Sequence, residues 1–157
     1  MNPNIGITEA NRQAVAVELT KLLADEYVLY TKTRNAHWNV EGPDFYDKHK
    51  FFETQYEQLD DIIDEVAERI RSLGHAATAT LGGFLKITSL TEQTRSENDG
   101  KGFIRELLAD HESIIIHLRG SIGKFADDYK DLGTSDFITG LMEEHEKMAW
   151  FLRAHLR

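Results

Sequence analysis

FYDKHKFFETQYEQLDDIIDEVAERIRSL, residues 45–73, is the stretch on which the fold turns. Phe45, His49, Phe52, Tyr56, Leu59, Ile63, Val66, Ile70 and Leu73 follow one another at alternating steps of four and three. That is a continuous apolar seam, the pattern of a long helix packed along its neighbours. Gly42 and Pro43 precede it and Gly74 ends it, so the spacing predicts a helix from about Asp44 to Leu73. Upstream, Val15, Leu19, Leu22, Leu29 and Tyr30 recur at helical steps, with Thr8 as N-cap and an end near Val40. Downstream, Ile104, Leu108, His111, Ile115, Leu118, Ile122 and Phe125 predict a third helix from about Asn98 to Tyr129. Ile138, Leu141, Met148, Leu152 and His155 or Leu156 predict a fourth from about Ser135 to Leu156, with Ser135 or Asp136 as its cap.

The joints sort these four helices. The first and third are short, whereas the middle connection, about Gly74 to Glu97, is long and holds an apolar piece, Leu81–Leu90, fit for a small helix. An all-α, ferritin-like four-helix bundle has this arrangement, whereas an up-and-down bundle has a short middle joint. With 157 residues, the chain is expected to form one domain over 1–157. No cysteine occurs, which excludes disulfides, thiolate metal sites and cysteine nucleophiles. The formal net charge is −9, which repels bare phosphate backbones. Met148–Leu152 is the longest purely apolar run, far from the roughly 20 residues of a membrane span. MNPNIGITEANRQ lacks the basic and apolar regions of a signal peptide, so a soluble, cytoplasmic protein is expected.

The second helix is chemically lopsided. Glu53, Glu57, Asp60, Asp61, Asp64, Glu65 and Glu68 follow one another with no base among them, although exposed helices commonly pair such acids at i,i+4. With about 3.6 residues per turn, His49, Glu53, Asp60, Asp64 and Glu68 fall within one stripe roughly 100° wide, the width of a packed face. Carboxylates on a packed face lower their charge or bind cations, and His, Asp and Glu together suit iron(II), zinc or manganese. A di-iron site inside one bundle uses Glu-x-x-His pairs. Arg34, Tyr46, Ser72, Leu108, Ile114, Met142 and Leu152 stand three before the seven histidines, so that motif is missing. A shared site remains. His49 and Glu53 are one turn apart, as are Asp64 and Glu68, yet Glu53 and Asp64 lie about 16 Å apart along a helix. An antiparallel copy across a two-fold axis near Gln58–Leu59 would bring the two pairs together and make two equivalent sites.

These residues also carry a resemblance. Asn35-Ala36-His37-Trp38-Asn39-Val40-Glu41-Gly42, then Phe45, His49, Phe52-Glu53 and Asp64-Glu65-Val66-Ala67-Glu68-Arg69, resemble the Dps family of mini-ferritins, named for DNA-binding protein from starved cells. The likeness extends over nearly the whole chain, including Asp127–Asp136 and His145-Glu146-Lys147-Met148-Ala149-Trp150. It implies a ferroxidase that oxidises Fe(II) to Fe(III), preferably with hydrogen peroxide but also with O2, and stores ferric mineral against oxidative damage. It further implies a hollow shell of twelve subunits built from two-fold dimers. His37, His49 and Glu53 would come from one chain and Asp64 and Glu68 from its mate. Many members carry Asp where this chain has Glu53; one more methylene changes the reach and keeps the carboxylate. Trp38 would relay or quench an oxidising equivalent, its plainer role being an interface aromatic. Asp127, Asp128, Asp131 and Asp136 would line a three-fold pore that admits Fe(II), their plainer roles being a turn and a helix cap. Glu57, Asp60 and Asp61 would nucleate mineral.

Outside the motif, His111, His117, His145 and His155 have no ligand spacing and read as core or surface histidines. Two other functions compete. A DNA-compacting stress protein would want a Lys/Arg-rich tail, but residues 1–12 hold one base, Arg12, and one acid, Glu9, so DNA binding is expected to be weak or absent. A helical interaction module without metal chemistry would tolerate alanine at His37 and Asp64.

Overall fold

The computed structural model describes residues 3–157. Thr8 caps the first helix, its Oγ1 accepting from Asn11 N at 3.2 Å, and α1 runs Glu9–Asn39. Gly42, at φ 130°, turns the chain into α2, Phe45–Ser72, and Gly74, at φ 92°, turns it out again. The long connection carries α3, Leu81–Ile87, capped by Thr80. Then come α4, Gly100–Gly123, and α5, Leu132–Ala154. Among the described residues the regular structure is all helical, as the apolar spacing predicts.

Contacts between the helices fix their directions. The reciprocal contact of His37 with His49 makes α1 and α2 an antiparallel hairpin. Glu41 N donates to Asn98 O at 2.9 Å, tying the hairpin's tip to the start of α4. The long connection therefore travels the length of the bundle, and α4 runs antiparallel to α1. Lys32 meets Glu106 and Asp110 near one end of that pair, and Glu18 meets Lys124 near the other. Arg69, near the end of α2, donates to Thr134 at the start of α5. This is the ferritin-like connectivity.

The core gathers Leu19, Leu23, Leu29, Phe52, Leu59, Ile62, Phe103, Ile104, Ile114, Leu118, Ile138 and Leu152, all within 2% of full burial. Of the predicted α2 seam, Phe52, Leu59, Val66, Ile70 and Leu73 are buried. Ile63 flanks the core, Tyr56 is half-buried against Tyr30 and His37, and Phe45 is 44% exposed; Gln55 and Ile62 complete the inner row. α1 is packed by α2, α3 and α4, so it buries charge as well. Lys32 is enclosed with Asp110 at 2.5 Å. Asp25 accepts from Thr88 Oγ1, Ser89 N and Ser89 Oγ at 2.6–2.8 Å, pinning the end of α3 to α1.

The joint between the last two helices departs from expectation. The third helix ends at Gly123 and continues as one π-helical turn, Lys124–Asp128, then Lys130 takes a left-handed φ of 56°. The cap of α5 is Asp131, not Ser135 or Asp136: its carboxylate accepts from Thr134 N at 2.9 Å and Thr134 Oγ1 at 2.5 Å. The wider π-turn carries Asp131 N back to Phe125 O at 2.9 Å, so α5 starts three residues before the apolar pattern suggests.

Candidate metal centre

His37 stands in the last turn of α1 and His49 in the second turn of α2, twelve residues apart and facing each other across the hairpin. His37 Nδ1 lies 2.8 Å from the carbonyl of His49, and His49 Nδ1 lies 2.8 Å from the carbonyl of His37. A carbonyl only accepts, so both Nδ1 atoms carry the proton. Each ring is thereby held in the tautomer whose Nε2 keeps its lone pair, which is how metal-binding histidines are usually oriented. The rings stack at 3.8 Å between centroids and 21° between planes. Tyr56 closes on His37 edge-on at 5.2 Å, and Phe45 lies 5.2 Å from His49. His37 is 8% exposed and His49 half-buried, so the pair is rigid on one side and open on the other.

Glu53 follows His49 by one turn of α2. Lys50 Nζ sits 2.6 Å from its Oε2, and this hydrogen bond, with the lesser pull of the nearby histidines, holds the carboxyl below the usual carboxylate range. Glu53 is thus an anion at neutral pH, and a cation that takes it must displace an ammonium. Lys50 and Glu53 are both partly exposed, so the pair is weak and exchangeable. Asp64 and Glu68 lie further along α2, exposed, with no hydrogen bond or ion pair among the described residues. No group of three or more His, Asp or Glu placed to hold one metal occurs among the described residues of a single chain. The chain brings His37, His49 and Glu53 to one end of the hairpin and leaves Asp64 and Glu68 about 16 Å away along α2.

Trp38 is 64% exposed, and its indole meets Arg34 at 5.2 Å rather than either histidine. The ring in contact with His37 is Tyr56, which the apolar spacing presents only as a seam residue. Asp127 and Asp128 are exposed on the π-turn and Asp136 in the first turns of α5. Asp131 is different: it is 2% exposed, caps α5, and pairs with Arg69 Nη2 at 3.1 Å. Its carboxylate is occupied inside the subunit, so the pore expectation is withdrawn for Asp131.

Two further charged features escape sequence reading. His145 Nε2 lies 2.8 Å from Glu26 Oε1, and His145 Nδ1 lies 2.9 Å from His111 Nδ1. All three side chains are within 1% of full burial. Burial, and secondarily His145, holds the His111 imidazole well below its ordinary value, so His111 is neutral. Arg12 is likewise buried: it pairs with Glu9 and donates to Ile7 O at 2.8 Å, so the one base of residues 1–12 faces inward. No described helix is long and apolar enough to cross a membrane.

The ferritin-like domain family matches residues 17–157. An uncharacterized low temperature-induced protein of Nostoc sp. is 42% identical over 153 residues, covering 98% of this chain and 86% of that one. DNA protection during starvation protein 2 of Bacillus anthracis is 38% identical over 146 residues, covering 93% and 98%. The crystal structure of the Dps protein of Vibrio cholerae O1 superposes with a TM-score of 0.92 at 33% identity, covering 99% of this chain and 97% of that one. It is described as a member of a broad superfamily of ferritin-like diiron-carboxylate proteins.

Proposed function

This chain belongs to the ferritin-like family as a Dps mini-ferritin, and we propose that it works as an iron-storing ferroxidase. Its substrate is Fe(II), its favoured oxidant hydrogen peroxide, and its product a ferric mineral held in a hollow homo-oligomeric shell. The single observation that carries this reading is the reciprocal His37–His49 lock, which leaves two Nε2 lone pairs free, with the ionised Glu53 one turn of α2 beyond His49. Two imidazoles and a carboxylate suit Fe(II) and leave coordination positions free for an oxidant.

The half-site explains the sharing. Asp64 and Glu68 of a two-fold mate supply the remaining carboxylates, because one helix cannot bring its own within reach. Exposed Tyr46, Leu81, Ile116 and Leu132, each at least 68% exposed, are apolar surface of the kind that subunit contacts cover. Asp127, Asp128 and Asp136 then raise the local Fe(II) concentration where three subunits meet. Two Fe(II) give two electrons to one peroxide, which takes two protons and leaves as two waters. The histidines orient the metal, and each Nδ1 keeps its proton, donated to the facing carbonyl, throughout.

Anaerobic Fe(II) titration with peroxide tests the reading. The expected result is fast oxidation that consumes two Fe(II) per peroxide and yields a soluble, iron-filled particle. Oxidation no faster than in protein-free buffer would contradict it.

A further inference from the structure

Three tyrosines continue from the metal centre in ring-to-ring contact. Tyr56 meets His37 edge-on at 5.2 Å between centroids. Tyr30 meets Tyr56 at 6.2 Å and 88°, and Tyr27 meets Tyr30 at 5.8 Å. These separations are those of rings in van der Waals contact. Tyr27 ends the row, stacked at 4.6 Å on Phe84 of α3, beside a surface cavity of about 380 Å³ that it lines with Lys32 and Asn35. The row arises from helix geometry. Tyr27, Tyr30, Arg34 and His37 are spaced three, four and three along α1, so they form one stripe, and Tyr56 of α2 fills the step between Tyr30 and His37.

We propose that Tyr56, Tyr30 and Tyr27 form a one-electron relay that draws off the oxidising equivalent left when peroxide meets a single bound Fe(II). The relay rests on the ferroxidase reading. One Fe(II) supplies one electron to hydrogen peroxide, which breaks the O–O bond and leaves hydroxide and an oxidant of hydroxyl-radical strength. Tyr56 gives that oxidant one electron and its phenolic proton. The sum is Fe(II) + H2O2 + Tyr56–OH → Fe(III) + OH⁻ + H2O + Tyr56–O•. Tyr30 then returns an electron and a proton to Tyr56, and Tyr27 does the same for Tyr30, so the radical comes to rest three rings from the metal. A later Fe(II) resets the chain, passing one electron while solvent supplies one proton. Arg34 assists: its guanidinium lies 4.3 Å from the Tyr56 ring and 5.8 Å from the Tyr30 ring, and a cation there disfavours positive charge on either ring. The electron therefore leaves together with the proton, and the radical is neutral. Trp38 touches this row only through Arg34, as a side branch.

The assembled protein is loaded with less than one Fe(II) per centre, mixed with peroxide, freeze-quenched and read by electron paramagnetic resonance, with ferric absorbance and a hydroxyl spin trap in parallel. Wild type should give a tyrosyl signal and little trapped hydroxyl. Tyr56→Phe, which keeps the ring and loses the phenol, should cut the tyrosyl yield several-fold and raise trapped hydroxyl in proportion. Tyr27→Phe should keep the yield and change the line shape as the radical stops at Tyr30. Tyr46→Phe, whose ring is 68% exposed and outside the row, should match wild type. Fast iron oxidation without a tyrosyl signal, or an equal signal in wild type and Tyr56→Phe, overturns the relay and leaves the ferroxidase standing. No accelerated oxidation at all overturns both.

Discussion

Replacing His111 by glutamine should flatten the pH dependence of stability. In the folded chain His111 is buried against His145, which in turn meets Glu26, and burial holds its imidazole well below the ordinary value of 6.5. Unfolded, it takes up a proton near that ordinary value. Between the two, the unfolded chain binds more protons, so stability is fully present above about pH 6.5 and falls as the pH drops toward the folded value. The slope from one such group is at most about 1.4 kcal/mol per pH unit. Glutamine keeps a polar group against His145 Nδ1 and never ionises. His111→Gln should therefore cost about 1–3 kcal/mol at neutral pH, through an imperfect replacement of a buried hydrogen bond. Below about pH 6.5 its stability should decline less steeply than wild type by up to that linkage slope. Burial pushes the Asp110 and Glu144 carboxyls up, which opposes the trend at lower pH and cancels between the two proteins. The assay is denaturant unfolding of iron-free protein at one fixed subunit concentration across this range, because assembly makes stability concentration-dependent. Parallel pH profiles for wild type and variant would refute the reasoning.

Asp131→Ala should destabilise the subunit by about 2–4 kcal/mol, removing the α5 cap and leaving Arg69 without its buried partner, as thermal unfolding would measure. Asp127→Asn with Asp136→Asn should leave stability near wild type and slow initial iron oxidation at limiting Fe(II); an unchanged rate would remove the pore assignment. Duplex DNA should show no retardation at physiological salt and neutral pH with chelator present, because Arg12 is turned inward, and salt-sensitive retardation would contradict this.

What the sequence discloses is local periodicity and spacing. The α2 pattern placed that helix to within a residue at each end, and Thr8 was legible as a cap because an N-cap is a property of four consecutive residues. His49 and Glu53 were legible together from their one-turn spacing, whereas His37 entered only through the resemblance to the Dps family. The exchange of Nδ1–carbonyl hydrogen bonds was not legible, since it depends on the rotation of one helix against the other. The Glu26–His145–His111 cluster was hidden for a stronger reason: its members sit on three helices and meet only once the long connection has set their directions. The π-turn at 124–128 hid the cap at Asp131, because one widened turn shifts the register of everything after it. Tyr56 read as core because its position continues the apolar spacing of α2, whereas its ring meets His37 and Tyr30.

In the proposed ferroxidase each iron centre is assembled from two chains. One inactive variant carries His37→Ala and His49→Ala, and a second carries Asp64→Ala and Glu68→Ala. Each alone should lose rapid peroxide-dependent Fe(II) oxidation while keeping its helix content. Co-assembled, the two should form mixed dimers in which one centre gathers every intact ligand and the other gathers every substitution. With random pairing, about a quarter of the centres should regain activity, a consequence of the two-fold exchange of faces. Mixed assemblies that form, as a tag pull-down would verify, and yet oxidise Fe(II) no faster than either parent would contradict the shared centre.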